Sequence, residues 1–550
     1  VGEAPATGLL VSSRETTCNN SDRLRWGIEG RGRGNRIMSD RGSSERPTAD
    51  GDGNGESGSS RTARSGGCPF HDSGGGTESS GNERANGEEP ALMERAVNRR
   101  SFVRTALAIG GAGALAAVSD GGSATDTGVT SAEFDVPQGP TDPDAFPERQ
   151  HAWNRDIKKD PFGNVVLPNH QVILFLDYVD DRVPTGADRQ EVEAAFRTLE
   201  LAFQRLSGGD PDGDNSGLVF MVGYSRSYFD TIAPRGAGVV DLVRPEEVLR
   251  RTDDDPAKAD NYDAVVLLSS ATVSVVLGAE EALFGNLETL NDVDVRGTLD
   301  GIFEKAERRT AFVGKGRPRE NLVGDADGMD EEPDTITNDD VRKNLRDDAP
   351  LSMGYKSGFK DNVATEDAAT ISTGPFKEGT TFQVSKLELD LGKWYANDRS
   401  TRDRLMFSHE HSPEEIGDIG ETLEDNSGIT ERIVSDLEET AEHHGQVGHA
   451  AKTALARNED FEPRILRRSE GVNNAFVDPE DGKVGFNFSA VMEDIEDFIV
   501  TRQAMNASHL DDDIEEGGHG ILPYMEVTNR ATFLVPPRKH RSLPLPLPLG

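Results

Sequence analysis

Residues 170–179, HQVILFLDYV, form a nearly continuous apolar run of strand length, the pattern of a buried strand. The stretch after it, ADRQEVEAAFRTLELAFQRLSGG (187–209), places Val192, Phe196, Leu199, Phe203 and Leu206 at helical spacing and stops at Gly208 and Gly209. GLVFMVGYS (217–225) and DAVVLLSS (263–270) read as two more strands, VSVVLGAEEALFG (273–285) as a helix, and TAFVG (310–314) as a fourth strand. Strand, helix, strand, then strand, helix, strand is the split βαβ arrangement.

A second set repeats these element types. TTFQVSKLELDLG (380–392) alternates with Phe382 and Val384, then Leu387, Leu389 and Leu391, a one-residue phase change that suggests a bulged strand. KVGFNFS (483–489) is a strand, VMEDIEDFIVTRQAMN (491–506) a helix with Val491, Ile495, Phe498, Ile499 and Met505, and ATFLVP (531–536) a closing strand. The fold class expected is α+β, two ferredoxin-like halves with antiparallel sheets.

Charge divides the chain differently. Residues 1–104 hold 15 Lys/Arg and 15 Asp/Glu, whereas residues 105–550 hold 44 and 84 and carry the whole formal charge of −40. So much like charge repels itself in dilute buffer and is tolerated where salt shortens the Debye length, which points to a high-salt source. The same field argues against nucleic acid and anionic lipid as partners. Cys18 and Cys68 are the two cysteines. Removal of the early part would leave no thiol for disulfides, zinc–cysteine sites or thiolate-ligated haem. CPFH (68–71) offers one Cys and one His, two ligands short of a stable metal site.

NRRSFVRTALAIGGAGALAAVSD (98–120) opens on Arg99 and Arg100 and continues into an apolar, small-residue run from Ala106 to Val118. That run is too short for a bilayer core of about 30 Å, so it reads as a signal segment. It closely resembles a twin-arginine signal, with cleavage expected between Leu115 and Val118, and implies the twin-arginine machinery as partner and an extracellular or cell-envelope location. Met38 and Met93 are alternative starts. The expected organisation is a disordered region over 1–92, the signal over 93–120, a linker over 121–165 and a first domain over 166–323. An acidic insertion follows over 324–350, a second domain over 351–540 and a solvated Pro/Leu tail over 541–550.

Eleven histidines are present. His449, in GHAAK (448–452), has only Gly448, Ala450 and Ala451 beside it, which would leave room for a flat macrocycle. His443 and His444 are its rivals. Eighteen residues on, RILRRS (464–469) can bury one of Arg467 and Arg468 while the other faces water. His409 and His411 in SHEHSPEE (408–415) lack the i, i+4 spacing of a helical zinc pair and read as an exposed loop.

GFKDN (358–362), GTTFQVSKLELDLGKWY, GHAAK…RILRRS, GFNFSAVMEDIEDFIVTRQAMN and ATFLVPP occur in an order and spacing that resemble the dye-decolorizing (DyP-type) haem peroxidases, over roughly residues 165–540. That family includes twin-arginine-exported deferrochelatase/peroxidases, and its two halves form a dimeric α+β barrel. The resemblance implies haem b as cofactor, His449 as axial ligand of the iron, Arg467 as the distal cation and Asp361 as the distal acid. A fixed cation stabilises developing negative charge and a nearby carboxylate shuttles a proton. It further implies hydrogen peroxide and an organic reductant as partners, and is compatible with a homo-oligomer. Asn362 stands where the family's Gly-x-x-Asp-Gly motif has its last Gly, and Asn is the other residue that readily takes positive φ. GDADG (324–328) fits the motif literally and makes Asp327 the rival of Asp361, while Arg464 or Arg468 would face haem propionates or acidic surface. The other reading is an extracytoplasmic protein that keeps the fold without turnover, whether or not it holds haem.

Overall fold

The run at 170–179 becomes strand β1, His170–Tyr178, in the computed structural model. The model describes residues 131–545 apart from 133, 143–144, 181, 207–213, 233–239, 241, 255–256, 315–345, 347 and 479–482. β1 is apolar almost throughout because both of its faces are covered. Val172, Leu174 and Leu176 pack under helices, and Ile173 and Phe175 point into a second core shared with the other half. Helix α1, Gly186–Ala202, starts at a capping box in which Thr185 and Asp188 satisfy each other's backbone N–H groups. It is followed by β2 (Val219–Ser225), β3 (Ala264–Ser270), helix α2 (Val273–Leu283) and β4 (Phe303–Phe312).

The second half runs β5 (Thr380–Asp390), a helical crossover ending in the short helix α3 (His449–Ala454), β6 (Leu466–Asp478), β7 (Lys483–Met492), helix α4 (Ile495–Asn506) and β8 (Met525–Val535). The strand order is β2-β3-β1-β4 in the first half and β6-β7-β5-β8 in the second, with antiparallel neighbours throughout. Each half therefore has the 4-1-3-2 order of a ferredoxin-like sheet. β4 meets β6 at Phe312 and Val472, and β8 meets β2 at Leu534–Tyr224 and Phe533–Ser225, so the eight strands close into one α+β barrel. Phe175, Phe382, Val384 and Phe533 fill its interior, and full burial of each such side chain stabilises the fold by about 1.5–3 kcal/mol.

The structure corrects several expectations. β5 is regular, not bulged: Phe382 and Val384 face the barrel interior while Leu387, Leu389 and Leu391 face the crossover, so the phase change marks two buried faces. The bulge lies on its neighbour β8, at Thr528 between Val527 and Asn529. α4 begins at Ile495, because Val491 and Met492 complete β7. The fourth strand starts at Phe303, and β6 went unrecognised. Described residues before 166 are packed and not a spacer, with Trp153 and Ile157 fully buried. The tail is docked over its described part: Leu543 is buried, its N–H donates to Tyr224 Oη at 3.0 Å, and Arg541 is held by Glu193 and Glu200. The signal segment, both cysteines, Asp327 and most of the acidic insertion lie outside the described residues. No described helix is long and apolar enough to cross a membrane.

Candidate functional site

β5 turns Ser385, Leu387 and Leu389 away from the barrel interior, and the crossover and α4 arch over them. Between these layers lies a cavity of about 190 Å³. Phe486 and Phe488 of β7 and Phe498 and Met505 of α4 supply apolar wall. Among the described residues four cations also line it, Lys356, Arg467, Arg502 and Arg530, and no Asp or Glu does. In a chain with 99 acidic and 59 basic residues, that reversal selects for an apolar body bearing negative charge.

The cations are held from behind. Arg530 Nη1 donates to Ser385 Oγ at 2.7 Å and its Nε to Asp254 Oδ2 at 3.1 Å, while its guanidinium stacks 4.8 Å from the Phe498 ring centre. Burial pulls Arg530 down to about 10 against the attraction of Asp254. Arg502 Nη2 donates to the other oxygen of Asp254 at 2.7 Å, and Lys356 pairs with Asp160 at 2.8 Å.

His449 opens α3 and lines the same cavity. Gly448 makes no room for a ligand: a Cβ there would lie 1.8 Å from the carbonyl oxygen of Phe407, so the glycine lets the helix start press on that backbone. Part of the His449 surface opens into the cavity, yet protein encloses the ring at longer range. That burial first, then Lys452, Arg467 and Arg502, pushes its pKa down to about 3. The ring is therefore neutral at pH 7, the form that ligates a metal. Its Nδ1 is buried without a hydrogen-bond partner.

A wider cleft of about 990 Å³ adjoins the cavity, and Leu351, Lys356, Ser357 and Arg467 line both. Asp361 belongs to the cleft and not to the cavity wall. Its side chain is exposed, its N–H donates to Asp425 O at 3.1 Å, and its carbonyl accepts from Arg457 Nη2 at 3.3 Å. His449 and Arg467 thus line one cavity and Arg467 and Asp361 one cleft, with Arg467 at the junction. Asn362 does not take positive φ; that role falls to Gly358 at +73°. Instead the Asn362 amide clasps Ser427, donating to its Oγ and accepting from its N–H, each at 2.8 Å.

Of the arginine pair, Arg468 is buried, donating to Glu366 Oε1 at 2.7 Å, Asn154 Oδ1 at 2.8 Å and His151 O at 2.6 Å. Arg464 pairs with Asp497 at 3.1 Å. Neither Arg464 nor Arg468 lines the cavity, and the rivals His443 and His444 are exposed. His409 and His411 are half-buried, not exposed: His409 stacks on His444 at 4.1 Å, and His411 Nε2 lies 2.8 Å from Ser427 O. No cluster of three or more His, Cys, Asp or Glu among the described residues is placed to hold a metal ion. Sequence reasoning missed Arg502, Arg530 and Lys356. Arg502 was findable, since Phe498, Thr501, Arg502 and Met505 share one face of α4 at i, i+3, i+4 and i+7.

A family model described as a family of unknown function (DUF7405) matches residues 168–537. No curated protein matches the chain in sequence. Similar solved structures include a dye-decolorizing protein from V. cholerae, 10% identical with a TM-score of 0.41, covering 71% of this chain and 98% of that one. A dye-decolorizing peroxidase from Bacteroides thetaiotaomicron is 12% identical with a TM-score of 0.40, covering 71% and 98%. A DypB variant from Rhodococcus jostii in complex with haem is 12% identical with a TM-score of 0.39, covering 70% and 97%.

Proposed function

The chain belongs to DUF7405, a family of unknown function, and we propose that it is a haem-dependent peroxidase whose cavity takes haem b with His449 as axial ligand. The observation that carries this reading is the cavity lining among the described residues: apolar walls, four cations, no carboxylate, and one neutral imidazole. Haem b is a flat apolar ring with two carboxylates, and Arg502, Arg530 and Lys356 are the cations that would receive them. Bound haem supplies the redox-active iron that reduction of hydrogen peroxide and one-electron oxidation of organic substrates require. Arg467, at the junction of cavity and cleft, presents a fixed positive charge to an oxygen carrying developing negative charge. Asp361, which lines the cleft, takes a proton and returns it. Export by the twin-arginine route to the cell envelope or beyond, in a high-salt organism, belongs to the same proposal, as does kinship with the exported deferrochelatase/peroxidases.

Titration of the purified protein with haemin tests it. Stoichiometric growth of a Soret band that is absent in His449→Ala is the expected result; equal binding by the variant would remove His449 from the site. The position of Asp361 outside the cavity wall favours a second reading, a haem-binding protein without turnover. Asp361→Asn separates the two: peroxide-dependent oxidation falls by about 100-fold or more, with haem binding unchanged, under the first, and nothing changes under the second.

A further inference from the structure

A histidine that ligates a metal usually donates its other ring N–H to a carboxylate or carbonyl, which raises its basicity. His449 has no such partner: Nδ1 is buried and unpaired. Among the described residues no carboxylate lines the cavity around it. Arg467 and Arg502 line the cavity with it, and Lys452 follows it on α3. Lys452 lies one turn further along α3, fully buried, with its Nζ donating to His519 O at 2.9 Å. Arg502 comes from α4 and is anchored by Asp254. Among the described residues the carboxylate of Asp511 acts on Lys452, and it is largely exposed.

We propose that Lys452 and Arg502 raise the reduction potential of a haem held at His449, making the site an electron acceptor for weak one-electron donors. The inference rests on the haem reading above. In the reduction one electron leaves the donor and enters the iron, and no atom is transferred. The iron loses one unit of positive charge, so fixed cations nearby favour the reduced form. An imidazole with no acceptor on Nδ1 donates less electron density, which shifts the balance in the same direction.

The test is potentiometric, on haem-loaded full-length protein at pH 6, where Lys452, lowered to about 7 mainly by burial, carries its proton. The wild type is expected to lie above haem ligated by free imidazole in the same buffer. Lys452→Gln keeps an N–H for His519 O and loses the charge; it should raise the ferric-to-ferrous ratio at fixed potential by about tenfold, 59 mV for one electron. Lys452→Arg restores the wild-type ratio. Arg502→Gln provides an independent second arm with the same expected direction. A wild-type potential at or below that of imidazole-ligated haem, or less than a twofold change in ratio in the folded Gln variants, overturns the inference. Failure of the wild type to bind haem at all overturns the haem reading instead, so the two outcomes are distinct.

Discussion

The carboxylate of Asp254, in the first ferredoxin-like half, accepts a hydrogen bond at 2.7 Å from Arg502 in the second, and its other oxygen holds Arg530. One buried acid thus anchors two cations of the cavity wall. Removing it leaves both guanidinium groups without their counter-charge in a largely buried site. Asp254→Ala should lower stability by about 3–5 kcal/mol. Chemical denaturation measures it, and a loss below about 1 kcal/mol would show that the arginines find other partners.

Gly448→Ala drives a methyl group into the Phe407 carbonyl. The start of α3 has to move, so the expected cost is about 1–3 kcal/mol, together with weaker haem uptake because His449 is the next residue. Unchanged thermal midpoint and unchanged haem affinity would contradict the packing role.

Asn362→Gly deletes both hydrogen bonds to Ser427. Two lost bonds at about 1 kcal/mol each predict a less stable protein, readable as a lower denaturation midpoint. A stabilised variant would mean that the loop prefers glycine after all.

His151 is fully buried, with Nε2 2.9 Å from Thr370 Oγ1, and burial, reinforced by Arg468, lowers its pKa to about 3. The folded protein therefore resists a proton that the unfolded chain accepts at about 6.5. Stability from this source is complete above pH 6.5 and falls by up to about 1.4 kcal/mol per pH unit below it, towards pH 3. Ordinary carboxylates titrate lower, so His151→Gln should flatten the slope of unfolding free energy between pH 6.5 and 5.

Raising KCl from 0.1 to 1 M shortens the Debye length from about 10 to about 3 Å. With a formal charge of −40, relief of self-repulsion should outweigh the weakening of exposed ion pairs such as Arg250–Glu247, and the melting temperature should rise. A fall would show that the surface pairs dominate.

Strands buried on both faces announced themselves as apolar runs, which is why β1, β2 and β3 could be read with nearly correct bounds and both halves recognised. β6 was hidden because Arg467, Arg468 and Ser469 interrupt it; the energy that holds them in a strand comes from Glu366, Asn154 and the β7 ladder, none adjacent in sequence. His449 and Arg467 were legible as motif residues. The cavity they share was not, since it depends on Lys356, Arg502 and Arg530 converging from three separate segments. The tail misled because alternating Leu and Pro look solvated until Tyr224 is found accepting from the Leu543 N–H and Glu200 from Arg541.

Both halves use the same strand order, yet the connections after their first strands differ. In the first half residues 179–218 carry one helix back across the sheet, whereas in the second residues 391–465 carry a series of short helices and deliver His449. The barrel takes its solidity from the strands, while the cavity draws its histidine from this one excursion. Selection can therefore remodel what the protein binds by editing the excursion while the strands stay as they are, and relatives with identical barrels are free to diverge in trade.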